Sequence, residues 1–283
     1  MIENITLVLV SHRSKKKIIN FLNGFSKKIK IIIVENSNDF SIEYEIKKLN
    51  KNIILKKIEN NGYGNAINYA RKFVNTKYFF IFNPDIENIV EKDIEVFLKV
   101  AQKLKDKFAC IGPRYSNISE KTLKQSDKNF EISKIKSISG AAMFFNAKVF
   151  DQLKGFDENF FLYFEETDYC YRANKKGLSS YQINTINVYH KVGTSVEICS
   201  EIEKKNLNDL HNWHFTWSKL YFYKKKYGLF YTILLFVPQI LRTLIKLSFY
   251  SIIVNNKILK RKYKLRYNAI KTSLLGKNSS FRT

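Results

Sequence analysis

Four short apolar runs, Ile5–Val10, Lys30–Val34, Ile53–Leu55 and Tyr78–Phe82, recur along the first part of the chain with helix-compatible segments between them. Runs this apolar have no polar side to turn to water, which suits strands covered on both faces. Strands that alternate with helices form a largely parallel sheet. The expected fold class is α/β, Rossmann-like, with a mostly parallel central sheet flanked by helices. In open sheets of this kind a ligand sits beyond the carboxyl ends of the strands. The polar connections Ser11-His12-Arg13-Ser14, Glu35-Asn36-Ser37-Asn38-Asp39, Asn60-Asn61-Gly62-Tyr63-Gly64-Asn65 and Asn83-Pro84-Asp85 are therefore expected to converge on one crevice.

Each connection suits a nucleoside diphosphate for its own reason. Glu35 accepts hydrogen bonds from a base or ribose, and Asn36 both donates and accepts them. Gly62 and Gly64 permit close backbone approach, while Asn65 and Asn68 offer amides from the start of the following helix. The glycine pair lacks the third glycine of a dinucleotide fingerprint, which disfavours a dehydrogenase. Asp85 puts a carboxylate at the tip of a buried strand, and hard oxygen donors there bind Mg2+ or Mn2+ together with substrate phosphates.

A second concentration of chemistry lies in GFDENFFLYFEETDYCYR, where Glu165, Glu166 and Asp168 follow an aromatic run. Burial and like charge raise a carboxyl pKa, as a general base working near neutrality requires. The structural alternative is a helix N-terminus favouring acids, with Asp168 paired to Arg172 at i,i+4. Glu165 and Glu166, as successive helical residues, point in different directions, so one can face a cleft while the other pairs.

At 283 residues and 45% hydrophobic content, the chain suits one main domain and an extension, drawn here as 1–205 and 206–283. The net charge of +24 is concentrated late: beyond Asp209 there is no acidic residue. The apolar stretch Leu229 to Val254 is broken by Pro238, Gln239, Arg242 and Lys246, and Gln239, Arg242, Thr243 and Lys246 form one polar stripe at helical spacing. That pattern fits a helix lying in a membrane interface, with the lysine-rich stretch that follows held near anionic lipid. The alternative is a helical pair packing its apolar face on the main domain or a second subunit. A nucleic-acid partner, suggested by the basic tail with Tyr263 and Tyr267, leaves the acids unexplained, and no nucleic acid is expected. Cys110, Cys170 and Cys199 have no metal-type spacing and read as thiols in a reducing compartment. The amino terminus enters a strand without a secretory signal, so the expected location is cytoplasmic, peripheral at the inner face of the membrane.

The motifs taken in order, LVLVSHRS, VENSNDFS, NNGYGNAIN, FIFNPDIE, SGAAMFFNAKVFDQLKGFDENFFLYFEETDYCYRANKKG and VYHKVGTS, cover roughly residues 3 to 200. They resemble the inverting family 2 glycosyltransferases of GT-A fold, and among these the bacterial rhamnosyltransferase-like enzymes that build cell-surface polysaccharides. The resemblance implies that Ser11, Arg13, Glu35, Asn36, Asn61, Gly62, Asn68 and Asn83 line the nucleotide site. It implies that Asp85 and His190 hold the metal, and that Glu166, preceded by Glu165, is the catalytic base. Two positions depart from the family pattern: Glu166 stands where Asp is usual, and Asn83 where many relatives carry Asp. The implied reaction is a single displacement from a UDP- or dTDP-sugar onto a saccharide or lipid-linked acceptor. A degenerate, non-catalytic relative is the alternative that the two departures leave open.

Overall fold

The computed structural model describes residues 2–39, 41–49, 51–117, 130–254 and 256–282. The chain divides into two compact units, Met1–Asp157 with Glu165–Glu197, and Glu158–Phe164 with Ile198–Thr283. In the first, strand β1 (Ile5–Ser11), helix α1 (Lys15–Asn23), β2 (Lys30–Glu35), α2 (Ser41–Lys48), β3 (Ile53–Lys57), α3 (Tyr63–Arg71) and β4 (Tyr78–Phe82) alternate, so all four apolar runs are strands. There follow β5 (Ile86–Glu87), α4 (Glu91–Lys103), β6 (Ile111–Tyr115), β7 (Ile132–Ile135), β8 (Ala142–Asn146), α5 (Ala147–Gln152), α6 (Glu165–Lys175) and β9 (Ser180–His190).

The strands form one sheet in the order β3-β2-β1-β4-β8-β6-β9-β5, with β7 also pairing β9. Strands β3, β2, β1 and β4 run parallel; β8 is antiparallel to both β4 and β6. The two-residue period of a strand divides its side chains between two cores. Ile5, Leu7, Leu9, Ile31, Ile33, Tyr78, Phe80 and Phe82 meet Ile18 and Leu22 of α1, Ile42 of α2 and Ile94 and Phe97 of α4. Val8, Val10, Ile32, Val34, Phe79 and Ile81 meet Ala66 and Ile67 of α3, Phe150 of α5 and Tyr169 and Cys170 of α6. Cys110 and Cys170 are buried thiols with sulfurs 3.6 Å apart. Strand β6 is less regular: Pro113 has no N–H for the ladder, the register with β9 shifts between Pro113 and Arg114, and β8 pairs it only at Ile111.

The second unit is helical, with α7 (Glu201–Tyr227), α8 (Leu229–Ile252) and α9 (Lys257–Leu274). Gly228, at φ +84°, turns the chain from α7 into α8 in a conformation that suits glycine. Trp213 and Trp217 of α7 pack on Ala269 and Leu265 of α9, and their indole N–H groups donate to Asn268 Oδ1 at 2.8 Å and to the Lys277 carbonyl at 3.2 Å. Helix α8 turns Thr232, Phe236 and Thr243 inward, with Gln239 and Lys246 half-buried, while most of its leucines, isoleucines and phenylalanines face outward. The polar stripe read from the sequence is thus largely on the inner side. Thr232 and Thr243 satisfy their hydroxyls on the carbonyls of Gly228 and Gln239, four residues back in each case.

His214 of α7 is buried, with Nε2 donating to the Phe281 carbonyl at 2.9 Å and Nδ1 accepting from Ser279 Oγ at 2.8 Å. Burial lowers its pKa to about 4, and nearby Arg282 and His211 add to the shift. A folded-state value below the unfolded one means that the unfolded chain binds the extra proton first. The stability from neutral His214 is complete above about pH 6.5 and lost as pH falls toward 4, up to about 3 kcal/mol. Calorimetric melting from pH 7 down to pH 4.5 should show the second unit losing stability over this window. His214→Gln should flatten that dependence, and an unchanged slope in the variant would assign the effect elsewhere.

Candidate active site

Three loops at the carboxyl ends of β1, β2 and β3 are tied together by main-chain and amide hydrogen bonds. The Asn36 N–H donates to the Ser11 carbonyl at 3.0 Å, and the Ile58 N–H to the Glu35 carbonyl at 3.0 Å. Arg13 takes a left-handed backbone, φ 52°, and its N–H donates to Ser37 Oγ at 2.9 Å. His12 Nδ1 donates to Asn36 Oδ1 at 2.9 Å, and Asn36 Nδ2 to Asn60 Oδ1 at 3.3 Å, which also accepts from the Gly62 N–H at 3.3 Å. Gly62, at φ 105° and ψ 167°, then opens α3 in a conformation that other residues rarely adopt. Ser11 is buried and Asn61 exposed.

Glu35 is buried at the centre of this network. One carboxylate oxygen accepts from the Ser37 N–H at 2.6 Å and from the Ser37 hydroxyl. The other is buried with no hydrogen-bond partner among the described residues, a costly state for an acceptor unless a ligand supplies a donor.

Asp85 and His190 are brought together by the pairing of β5 with the end of β9, in which Ile86 faces His190 and Glu87 faces Tyr189. Asn117 clamps the His190 main chain, donating to its carbonyl at 2.8 Å and accepting from its N–H at 3.1 Å. His190 Nε2 lies 3.2 Å from Asp85 Oδ1 without an aligned hydrogen bond, and Ser195 Oγ donates to Oδ2 at 2.7 Å. Burial pushes the Asp85 carboxyl up, but His190 and Ser195 together outweigh it and hold the pKa below its ordinary value. The loop that carries Ser195 also reaches the first strand end. The Glu197 N–H donates to the Arg13 carbonyl at 2.7 Å, and the Glu197 carboxylate accepts from the Lys16 N–H at 2.8 Å in the first turn of α1.

The acidic cluster opens α6, and its members differ in environment. Glu165 is 5% exposed with one carboxyl oxygen unpartnered among the described residues, while Glu166 is half-exposed and accepts from Thr167 Oγ1 at 2.8 Å. Burial, with Glu166 next to it, pushes the Glu165 carboxyl well up. Gly64 of α3 makes room: a Cβ there would sit 3.1 Å from Phe156 Cβ and 3.5 Å from Glu165 Cβ. Asp168 is the structural member. Its Oδ2 accepts from Arg172 Nε at 2.7 Å, and the Arg172 guanidinium also donates to the Leu153 and Gly155 carbonyls. Tyr63 sits among these groups, its hydroxyl donating to the Gly140 carbonyl at 3.0 Å. Burial pushes its phenol well up, and the neighbouring acidic groups Glu165, Tyr115, Asp85 and Glu166 add to the shift.

Of the residues singled out from the sequence, Ser11, Arg13, Glu35, Asn36 and Gly62 lie in one network, and Asp85 meets His190. Asn83 is half-buried, with its N–H bonded to the Ala141 carbonyl at 2.8 Å. Asn68 has a different task. Its Nδ2 donates to the Phe156 carbonyl and its Oδ1 accepts from the Phe156 N–H, each at 2.9 Å, so the amide fastens the chain ahead of α6. Residues not singled out are His12, Ser37, Asn60, Tyr63 and Ser195. His12 and Ser37 stand inside the polar connections, and Ser195 closes VYHKVGTS, so the motif boundaries held the signal.

The family described as Glycosyl transferase family 2 matches residues 6–171. The Low-salt glycan biosynthesis hexosyltransferase Agl10 of Haloferax volcanii is 25% identical over 215 residues, covering 67% of this chain and 68% of that protein. The structure of S. aureus TarS 1–349 aligns with a TM-score of 0.53 at 11% identity, over 98% of this chain and 93% of that one. Its complex with UDP-GlcNAc aligns at 0.51 with 12% identity, over 98% and 93% of the two chains. GalNAc-T7 with UDP, GalNAc and Mn2+ aligns at 0.54 with 14% identity over 78% of this chain, which spans 50% of that one. The fold shared with these structures is the GT-A arrangement. A family match running from the first strand to the helix that carries Glu165 and Glu166, over more than half of the sequence, means that the chain belongs to glycosyl transferase family 2.

Proposed function

We propose that the chain moves a hexose, deoxyhexoses such as rhamnose included, from a UDP- or dTDP-sugar to a hydroxyl of a saccharide or lipid-linked saccharide in cell-surface polysaccharide synthesis, with inversion at the anomeric carbon. The observation that carries this reading is that, within a chain of this family, buried Asp85 lies 3.2 Å from His190 and buried Glu165 lies beside Glu166 next to Gly140. The unpartnered oxygen of Glu35 suits the imide N–H of uracil or thymine. A base offering an N–H there, as uracil, thymine and guanine do, relieves a buried orphan acceptor, which disfavours bases without such a donor.

The residues at Asp85 fit a divalent ion, since Oδ1 is buried, lacks a hydrogen bond and lies beside a ring nitrogen. No cluster of three or more ligating side chains occurs among the described residues, so Asp85 and His190 would hold Mg2+ or Mn2+ jointly with the donor's phosphates. Such an ion, when bound, supplies charge that stabilises the leaving diphosphate. Glu166 takes the proton of the acceptor hydroxyl. The acceptor oxygen attacks the anomeric carbon opposite the diphosphate, the bond from that carbon to the phosphate oxygen breaks, and the nucleoside diphosphate leaves with the electron pair. Glu165, kept protonated by burial, leaves one negative charge at the base instead of two.

Release of nucleoside diphosphate from UDP-, dTDP- and GDP-sugars, with and without Mn2+, tests the reading. One uridine or thymidine donor should be turned over with metal stimulation. Glu166→Gln should lower turnover by about 10²–10⁴-fold with nucleotide binding intact, and Asp85→Ala should abolish the metal response. Turnover unaffected by Glu166→Gln would reject the base assignment, and a product of retained configuration would reject the single displacement.

We further propose that the second unit docks on anionic membrane at the cytoplasmic face. Helix α8 is long and apolar enough to cross a bilayer, with mean hydropathy 1.5, yet only 17% of its 18-residue apolar window is buried. Phe230, Ile245 and Ile252 are 77%, 68% and 80% exposed, and Lys257, Lys260, Lys262 and Lys264 of α9 are exposed. Outward apolar side chains and nearby cations act together at a lipid surface, each cation worth about 1 kcal/mol. The full chain should float with phosphatidylglycerol vesicles, less so in high salt. Phe230→Ser with Ile245→Ser and Ile252→Ser should leave it in the soluble fraction, and equal flotation of both would sink the proposal.

A further inference from the structure

The segment Glu158–Phe164 belongs to the helical unit although it lies between two stretches of the sheet unit. Helix α7 and the chain end hold it closely. The Phe160 ring lies 4.9 Å from that of Tyr221, and the Phe161 ring 4.6 Å from that of His214 with the Arg282 guanidinium 3.7 Å above it. Ser218 Oγ donates to the Leu162 carbonyl at 2.8 Å. Past this clamp Tyr163 and Phe164 both take left-handed backbone, φ 68° and 70°, though neither is glycine. Two such residues in succession carry strain that the surroundings must impose, and strain of this kind collects where function fixes the geometry.

The strained turn presents two rings to a third. Tyr163 lies 5.6 Å from Phe215 at 78° between planes, and Phe164 lies 5.7 Å away at 56°. Phe215 is 49% exposed, although Trp213, His214, Thr216 and Trp217 around it in α7 are buried. His211 adds a polar edge, its ring 5.9 Å from Tyr163. The chain then passes from Phe164 directly to Glu165, with consecutive Cα atoms about 3.8 Å apart.

We infer that Tyr163, Phe164 and Phe215 form an acceptor subsite on the helical unit that receives the apolar C–H face of a pyranose ring. An aromatic face carries negative charge density, which attracts the weakly positive C–H bonds of a sugar while leaving its hydroxyls outside. A saccharide is the occupant because the chain leads straight into the proposed base. A base there needs a hydroxyl, and a pyranose joins hydroxyls to an apolar ring face. The inference rests on the transferase reading of Glu166.

Binding, not turnover, separates the two. Saturation-transfer NMR on the full chain with UDP present would be recorded with the methyl pyranosides of glucose, galactose, mannose, rhamnose and N-acetylglucosamine. Wild type and Glu166→Gln should both transfer saturation to the ring C–H protons of at least one glycoside. Phe215→Ala should reduce that signal about fivefold, Phe215→Trp should retain it, and Tyr44→Ala, an exposed aromatic on α2, should leave it unchanged. Absence of signal for all five glycosides, an unaltered signal in Phe215→Ala, an equal loss in Tyr44→Ala, or binding of 1-octanol alone would overturn the subsite. A Glu166→Gln variant that binds glycoside and still turns over donor would overturn the base assignment and leave the subsite standing.

Discussion

The strand Tyr78–Phe82 has no polar side, and the sheet unit is organised around that fact. Phe80 and Phe82 enter one core, Phe79 and Ile81 the other, and the strand lies between β1 and β8 in the middle of the sheet. Phe79 stacks on Phe145 with centroids 5.0 Å apart and meets Phe150 edge-on at 5.1 Å. A strand buried on both faces needs helices on both faces, and its register admits no slip without exposing rings to water. Such a rigid strand makes a dependable mount for Asn83-Pro84-Asp85, because the polar loop inherits its position from packing that has no alternative.

Two carboxyl environments then diverge from this common frame. Asp85 is buried beside a histidine and a serine hydroxyl, which together hold it ionised. Glu165 is buried among Gly64, Gly140 and Phe156 with a second glutamate beside it, which favours the protonated form. Titratable groups pushed in opposite directions within one region are what acid–base and electrostatic chemistry require. The loop from Lys191 to Glu197 adds a mechanical link, since Ser195 holds Asp85 while Glu197 caps α1, the helix that follows the loop after β1.

The sequence was informative where one physical pattern dominated. Strands β1 to β4 were legible because both faces are apolar, and the loops after them because Gly, Asn, Ser and Asp cluster there. Strand β6 was not, since Ile111-Gly112-Pro113-Arg114-Tyr115 has no apolar run and is buried through its pairing with β9. The helix carrying Glu165 and Glu166 was legible, but which glutamate turns inward depends on the gap left by Gly64, a contact across about a hundred residues. Asn68 and Asn36 are both amides near polar loops, and only the backbone of Phe156 separates their tasks. Ser195 reaches Asp85 from 110 positions away, beyond what spacing can reveal.

The threonines of α8 have one further consequence. Because Thr232 and Thr243 bond to carbonyls of their own chain four residues back, they leave no hydroxyl proton for neighbouring helices. Among the described residues, what fastens α8 to α7 and α9 is apolar contact around Phe236 and Ile240, aided by Lys219 over the Phe236 ring and Lys246 over that of Tyr263. An attachment of that composition weakens on cooling, as apolar burial does, whereas hydrogen-bonded seams do not share that dependence. The hold of α8 on its neighbours therefore loosens in the cold.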